Sequence, residues 1–549
     1  MMKRFFVVML MAWSTIISAQ TRAENYQLLL NTAQISDERI LQGKCGLPAF
    51  AALQQAITQR PELNALFKST FQRPTLPLKY VTPDGRFRFH YAVTGNDAVN
   101  PASTQVSGVP DYIYEAGLAA QRAYNLLHVQ LGFELPVSDQ NVDGAEYDFY
   151  VINEPADRYG ETAWDFLDGN GRGPAYSFVD NDFTSYATTG LAALRVTVAH
   201  EYFHGVQLNY RFRSEDIYFL EMSSVWFEDF AYDAVNDYYF YLRTFFNNLD
   251  IPLHETDGYE STVWLHYLVK RTRAPRLMLD LWNRVRAELA INSFKTVLEA
   301  APYNLPFTQA FSEFNTWCYF TGTRADTARY FAEGDKYPQL KFESTLTAKR
   351  DTTVSDGLSS LSAHFYRVIR NPQNLQVLLQ TNEPGRWLVT ALSRSNQQYN
   401  LQSGGGLTPI AVAAATREDT VIVAVVNTSL PASGGQSIFS NYQLQLSLVS
   451  KVALTDVLEN PFPNPFRGKG LQFFPFRLSE RMTVEAAILR EDGKVMRRFK
   501  LGELGAGAYS SQLYWDGNDD DGRRVASGVY LLRLFAGGFQ ETAKFVVIN

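Results

Sequence analysis

Residues 194–207 read LRVTVAHEYFHGVQ and contain two histidines four positions apart. Apolar residues recur in this stretch at helical spacing and no proline interrupts it, so we predict a helix. At about 100° per residue, positions four apart on a helix differ by roughly 40°. His200 and His204 therefore leave one face and can bind one metal ion, with Glu201 at the edge of that face. This spacing is typical of zinc peptidases.

A third metal ligand is expected C-terminal to His204, because a catalytic zinc ion takes three protein ligands and keeps one position open. Residues 218–231, YFLEMSSVWFEDFA, offer Glu221 and Glu228. These two are seven apart and differ by only about 20° around a helix, so both can face the site. We prefer Glu221, whose following residues resemble the ligand helix of gluzincin metalloproteases. The other glutamate is expected to hold a ligand histidine by a hydrogen bond.

The predicted chemistry is hydrolysis by a zinc-activated water. Zinc lowers the pKa of bound water toward about 7, and Glu201 is the expected general base that takes its proton. A developing oxyanion needs a second donor besides the metal. Tyr259, at the start of a predicted helix, is a candidate for that donor, and a simple packing role for it stays open.

The chain of 549 residues is too long for one hydrophobic core. We predict a multidomain protein, with an α+β gluzincin-type metalloprotease domain followed by two all-β sandwich domains. The expected boundaries are a signal peptide at 1–19, the metalloprotease domain at 20–337, a β-sandwich at 338–452 and an Ig-like domain at 453–549. Whether residues 20 to about 75 form a cleaved propeptide stays open.

The N-terminus predicts export. A basic start, MMKR, precedes a mostly apolar stretch and a small-residue cleavage site near Ala19. The apolar stretch is too short for a stable membrane anchor, and no later run approaches about 18 apolar residues, so we expect no transmembrane anchor. The formal charge of −7 gives no basic face for nucleic acid. We expect a protein secreted or held at the outer cell surface, acting on a protein or peptide substrate.

The chain has two cysteines, Cys45 and Cys318. A disulfide between them and two buried free thiols are both open alternatives. Neither cysteine has a partner at metal-binding spacing, so we predict no cysteine ligand. Calcium is a weaker possibility in two acidic loops, residues 165–171 and 516–522, where we favour plain turns because the second lacks the glutamate that completes a calcium loop.

Several segments together resemble a family of secreted gluzincin metalloproteases known from myxobacterial genomes. They are residues 86–91 (RFRFHY), 109–112 (VPDY), 147–150 (YDFY), the histidine motif, 221–229 and 314–322 (FNTWCYFTG). The resemblance covers roughly residues 40–450. It implies that His200, His204 and a following glutamate bind zinc and that Glu201 is catalytic. Residues 222–224, MSS, depart from the Gly-Thr-Ala-like run that is usual there.

The C-terminal segment resembles the Ig-like domain shared by flagellar hook-capping proteins and type IX secretion sorting domains. The matching motifs are residues 464–466 (NPF), 488–495 (ILREDGKV), 515–523 (WDGNDDDGR), 527–530 (SGVY) and 544–547 (KFVV). The resemblance implies export machinery or the cell surface as a partner of this domain rather than catalysis.

These observations favour a secreted zinc-dependent metallopeptidase that hydrolyses peptide bonds by a metal-activated water, as an endopeptidase. The alternative is a cell-surface adhesion or binding protein on an inactive metalloprotease scaffold. The presence of Glu201 favours the enzyme, because a structural metal site has no use for a general base beside the metal.

Overall fold

The structure is a computed structural model. It describes residues 22–36, 43–154, 158–184, 186–348, 351–370, 373–383, 386–395, 398–405, 409–412, 419–449, 456–467, 471–509 and 512–548. The predicted signal peptide at 1–19 lies outside the described residues. The described chain divides into two compact units. The first comprises the residues up to Leu242 with Thr256–Val269 and Arg273–Ala290, and the second comprises Arg243–Glu255, Lys270–Thr272 and the residues from Ile291 onward.

Helices dominate the N-terminal 320 residues or so. In chain order they are α1 (Arg22–Ala33), α2 (Leu47–Gln59), α3 (Asn64–Phe71), α4 (Asp111–Tyr124), α5 (Gly190–Gln207), α6 (Ile217–Ala231), α7 (Tyr239–Asn247), α8 (Val263–Thr272), α9 (Leu277–Val285), α10 (Ala290–Glu299) and α11 (Phe307–Tyr319). A π-helical segment, Asn125–Leu131, continues α4. Pro48 lies in the first turn of α2, and Pro61 begins a 3-10 turn that leads into α3.

A five-stranded mixed sheet forms the centre of the first unit. Its strands are β1 (Leu78–Val81), β2 (Phe87–Tyr91), β3 (Tyr147–Ile152), β4 (Gly160–Trp164) and β5 (Ala175–Asp180), in the order β1-β2-β3-β5-β4. β2, β3 and β5 are parallel, whereas β1 and β4 are antiparallel edge strands. Every residue of β4 and β5 is buried, as expected for strands that are covered by helices.

The helix predicted around His200 is α5, and it packs against both β4 and β5. From Val196 to Gln207 all of its residues are buried, because a helix that is apolar on most sides needs neighbours on most sides. α6 packs along α5 and is itself buried from Tyr218 to Glu228. The polar side chains of these two helices therefore meet in a water-poor interior, where each needs a partner.

The second unit contains a sandwich of two antiparallel-rich sheets. Its strands are β6 (Ser344–Thr347), β7 (Thr352–Leu358), β8 (Ser362–Arg370), β9 (Asn374–Thr381), β10 (Trp387–Ser395), β11 (Gln398–Gly405), β12 (Ile410–Val412), β13 (Asp419–Asn427) and β14 (Ser440–Val449). The sheet orders are β11-β10-β13-β8-β6 and β12-β9-β14-β7. Inward residues of both sheets, among them Trp387, Val423, Leu379 and Leu444, share one core.

Further strands follow to the end of the chain. They are β15 (Val457–Leu458), β16 (Gln472–Phe473), β17 (Phe476–Leu478), β18 (Met482–Arg490), β19 (Val495–Leu504), β20 (Gly507–Tyr509), β21 (Tyr514–Trp515), β22 (Gly528–Ala536) and β23 (Phe539–Val547). The main sheet has the order β19-β18-β22-β23, with β15-β17-β20 and β16-β21 beside it. Phe466, Phe474, Trp515, Tyr530 and Phe545 belong to the core that these strands enclose.

The architecture is thus multidomain, with an α/β N-terminal part and all-β sheets in the C-terminal part, as predicted in outline. The boundaries predicted at 337/338 and 452/453 stay predictions. Among the described residues, no helix combines the length and the hydrophobicity needed to cross a membrane.

We expect the C-terminal core to depend on Trp515. Its side chain is 1% exposed, its Nε1 donates to the carbonyl of Asn518 at 2.7 Å, and its ring contacts Phe466 and Phe545. Trp515→Ala should lower the opening free energy of β18 and β22, measured by native-state hydrogen exchange, by about 3–5 kcal/mol. Tyr514→Ala is the control, since Tyr514 is 48% exposed. Equal effects of the two substitutions would contradict the assignment.

Candidate metal centre

The two histidines of α5 meet as their spacing predicts. The Nε2 atoms of His200 and His204 lie 2.9 Å apart, and the two side chains are buried. The rings are nearly perpendicular, with centroids 4.6 Å apart. Both nitrogens therefore point into the same small volume, which is the arrangement that one shared ion requires.

Glu221 supplies a carboxylate to the same volume from α6. Its oxygens lie 3.2 Å from Nε2 of His200 and 3.4 Å from Nε2 of His204. The carboxylate is fully buried, and neither oxygen has a hydrogen-bond partner of good geometry. Burial raises the pKa of Glu221, but the charges and contacts of His204 and His200 outweigh burial and hold it well below its usual range.

Each histidine is held from behind through its other ring nitrogen. Nδ1 of His200 contacts Oε1 of Glu228 at 2.5 Å, and Nδ1 of His204 contacts Oε1 of Gln207 at 2.8 Å. Gln207 is fixed in turn, because its Nε2 lies within hydrogen-bond distance of the Leu220 carbonyl at 3.1 Å. An Nδ1 proton donated to these acceptors leaves each Nε2 lone pair free for a metal.

The two glutamates therefore lie on opposite sides of His200. Glu221 is on the Nε2 side with both histidines, and Glu228 is on the Nδ1 side. Burial lowers the pKa of His200, but the adjacent carboxylates of Glu221 and Glu228 outweigh burial and raise it to about 10. Three electron-pair donors that converge in a buried site need a cation between them, whether a proton or a metal ion.

The residues fit a zinc ion. Ligand atoms at 2.0–2.1 Å around a tetrahedral ion are about 3.3 Å from one another. The measured separations of 2.9, 3.2 and 3.4 Å among the two Nε2 atoms and the Glu221 oxygens are close to that value. Two imidazoles with one carboxylate form a donor set that zinc uses in catalytic sites.

Glu201 follows His200 on α5 and is 1% exposed. Oγ1 of Thr162, on β4, donates to Oε2 of Glu201 at 2.7 Å. Ser177, directly across the sheet from Thr162, can donate to that hydroxyl at 2.9 Å, and Tyr147 lies 2.8 Å from Ser177. A chain of three hydroxyls thus orients the carboxylate. Burial raises the pKa of Glu201 above its ordinary value.

Tyr259 lies directly before a 3-10 turn and α8, and its side chain is buried. Its hydroxyl accepts a hydrogen bond from the backbone N–H of Cys45 at 3.3 Å. The preceding Gly258 has a φ of +96°, and a Cβ at that position would collide with the Tyr218 carbonyl and crowd Glu221. This turn packs against α6 closely enough that only glycine fits.

Cys45 enters the site, although its sequence spacing predicted no cysteine ligand. Its Sγ belongs to a buried group with His200, His204 and Glu221 whose potential ligand atoms all lie within 4.8 Å of one another. It reaches the site through backbone pairing of residues 44–46 with β4, which sequence spacing cannot reveal. Cys45 and Cys318 are both free thiols.

Lys44 precedes this cysteine and is buried between two carboxylates. Its Nζ donates to Glu228 at 2.7 Å and to Asp237 at 2.6 Å, and it lies over the rings of Tyr159 and Tyr241. Burial lowers the pKa of Lys44, but Asp237 and Glu228 raise it well above its usual range. Glu228 therefore bridges Lys44 and His200 with its two oxygens.

The two acidic loops form turns. Oδ1 of Asp168 accepts the backbone N–H groups of Asn170 and Arg172. Oδ1 of Asp519 accepts those of Asp521 and Arg523 in the same way. Carboxylates that accept backbone N–H groups stabilise their own loops. Calcium binding by these loops stays a prediction.

No protein-family model matches the chain, and no curated protein matches it. Among solved structures, the chain is similar to PorZ, an essential bacterial surface component of the type-IX secretion system of Porphyromonas gingivalis. The identity is 19% over 19% of this chain and 14% of PorZ, with a TM-score of 0.14.

The dimeric latent PorU of Porphyromonas gingivalis is 10% identical, over 38% of this chain and 32% of its own, with a TM-score of 0.16. The chain therefore spans less than a third of either relative. Similarities this small carry no argument about function.

Removing the Lys44 cation should destabilise the first unit. Lys44→Met leaves Glu228 and Asp237 buried without their shared partner, a loss worth about 3–5 kcal/mol of unfolding free energy. Urea denaturation, monitored by hydrogen exchange in α5 and α6, measures this loss of unfolding free energy. The matched control is Lys68→Met, at an exposed position of α3. A loss no larger than that of the control would contradict the buried ion pair.

Proposed function

We propose that the protein is a zinc metallopeptidase of the gluzincin type. The observation that supports this best is the convergence of Nε2 of His200, Nε2 of His204 and the unpartnered carboxylate of Glu221, each buried, beside the carboxylate of Glu201. A purely structural metal site gives no reason for the carboxylate of Glu201 beside the proposed ligands. His200, His204 and Glu221 are the proposed ligands, and Glu228 positions His200.

When bound, zinc supplies Lewis-acid polarisation of a carbonyl group and activation of water. Glu201 is the proposed general base, which accepts a proton from the attacking water at its carboxylate and delivers it to the leaving amine nitrogen. Thr162 holds Oε2 of that carboxylate, so its orientation is fixed before substrate arrives. Tyr259 is the candidate donor to the oxyanion, because its hydroxyl reaches the backbone of Cys45 inside the site.

The rival function is a surface binding protein with an inactive metal site. One observation favours it: Cys45 completes a set of four potential ligands, and four protein ligands are typical of structural zinc. Dependence of hydrolysis on Glu201 separates the two functions, since a structural site needs no general base.

We further propose that the protein is exported and that residues 453–549 serve secretion or surface attachment. The N-terminal targeting pattern and the resemblance of the C-terminal motifs to type IX secretion sorting domains support this. The substrate would then be a protein or peptide outside the cytoplasm.

Zinc binding should distinguish the two glutamates. Glu221→Gln removes a ligand oxygen and should lose zinc on dialysis. Glu228→Gln keeps the ligand set and should weaken zinc affinity by about 10–100-fold, as loss of a supporting hydrogen bond does. Metal content by mass spectrometry and competition with a chromophoric chelator measure both. The reverse order would overturn the assignment of Glu221.

Peptide hydrolysis should depend on Glu201. We expect Glu201→Gln to keep zinc and to lower kcat/KM on casein or a peptide library by about 10²–10⁴-fold. Because Cys45 lies in the site, activity is measured with and without the additional change Cys45→Ala. Glu480→Gln, at an exposed position, is the matched control. Zinc bound without Glu201-dependent hydrolysis in either background would refute the peptidase proposal and favour the rival.

A further inference from the structure

Cys45 supplies a fourth potential ligand atom at the candidate metal centre. Its Sγ lies with the two Nε2 atoms and the Glu221 carboxylate, and it approaches Oε2 of Glu201 to 3.8 Å. A catalytic zinc ion has three protein ligands and one open position, whereas four protein ligands close the site. We propose that Cys45 is the fourth metal ligand of the full chain and keeps the enzyme latent until its segment leaves the site.

This inference rests on the proposed function, because latency has meaning only for an active metal centre. Cys45 contacts each part of the proposed catalytic machinery. The thiol reaches the ligand set and the general base, and the backbone N–H donates to the hydroxyl of Tyr259. A substrate carbonyl cannot enter a volume that these atoms already fill. The contact is therefore competitive with substrate rather than merely adjacent to it.

The backbone around Cys45 blocks a second element of the site. The N–H of Gly46 donates to the carbonyl of Gly160 at 2.9 Å, and the N–H of Tyr159 donates to the carbonyl of Lys44 at 2.8 Å. Cys45 forms a parallel bridge with Gly160. β4 is the edge strand of the sheet, and a free sheet edge is where an extended peptide adds as a strand. Residues 44–46 thus lie beside the proposed metal ligands and pair with the Gly160 end of this sheet edge.

The segment also fits its place closely. Gly46 lies against Glu161, and a Cβ at residue 46 would collide with that carboxylate. Lys44 is fixed by Glu228 and Asp237. An accidental contact would not combine a buried ion pair, two backbone hydrogen bonds and a close glycine approach within three residues. These contacts hold the thiol beside the other potential ligand atoms.

Release needs no oxidant or other reagent. The Cys45 thiolate would leave the ligand set and take a proton from the buffer to become a thiol, and a water molecule would take its place. The number of protein ligands falls from four to three, with His200, His204 and Glu221 remaining. That is the number of protein ligands typical of a catalytic zinc site.

X-ray absorption at the zinc edge of the full-length protein tests the ligand directly. A thiolate ligand lies about 2.3 Å from zinc, whereas nitrogen and oxygen ligands lie at about 2.0–2.2 Å. We expect one sulfur in the wild type and in Cys318→Ala, which changes the other buried thiol. We expect none in Cys45→Ala, which should keep its zinc. The wild-type spectrum decides the ligand even if that variant does not fold.

Activity tests the latency. Cys45→Ala should hydrolyse peptides about tenfold or more faster than the wild type, because an open state in equilibrium with a closed one is a population of about 0.1–10%. Cys318→Ala should match the wild type, and Cys45→Ser is the second variant if alanine impairs folding. The added Glu201→Gln change should abolish the gain.

These experiments distinguish failure of the latency proposal from failure of the proposed peptidase function. Zinc with only nitrogen and oxygen ligands, together with Glu201-dependent hydrolysis by the wild type, overturns the latency proposal alone. A sulfur ligand with no gain of activity in either Cys45 variant also overturns latency and points to a structural site. A chain that binds no zinc overturns the latency proposal and the proposed function together.

Discussion

Three electron-rich groups converge in the interior of the first unit: two imidazole nitrogens and a carboxylate. In a region from which water is excluded, such groups repel one another unless a cation lies between them. The rest of the site is arranged around this constraint. Glu228 and Gln207 hold the outer nitrogens of His200 and His204, so that the inner lone pairs cannot turn away.

The surrounding fold stabilises this arrangement because the residues of the site come from two helices and a sheet. α5 presents the histidines, α6 presents Glu221, and β4 and β5 present the hydroxyls that orient Glu201. Side chains on rigid elements, locked by a second set of hydrogen bonds, keep the geometry that chemistry requires. Each of these elements is buried, so solvent does not compete for the polar contacts.

Local periodicity was enough to predict part of this site. The shared face of His200 and His204 follows from the helical repeat, and so does the placement of Glu221 and Glu228 on one side of the next helix. Periodicity could not decide between the two glutamates, because that depends on which ring nitrogen of His200 each one reaches. Cys45 and Thr162 reach the site through the pairing of β4. Long-range strand register leaves no local pattern, so sequence spacing could not place Cys45 beside the two histidines.

The bridge formed by Glu228 has a thermodynamic consequence. One of its oxygens contacts Lys44 and the other contacts His200, so the N-terminal segment and the metal position share one carboxylate. Two binding events that share a group are linked, and linkage is reciprocal. If a bound metal increases the equilibrium constant for docking of residues 44–46 by some factor, the docked residues increase the affinity for the metal by the same factor. Undocking of residues 44–46 would therefore lower the affinity of the site for the ion.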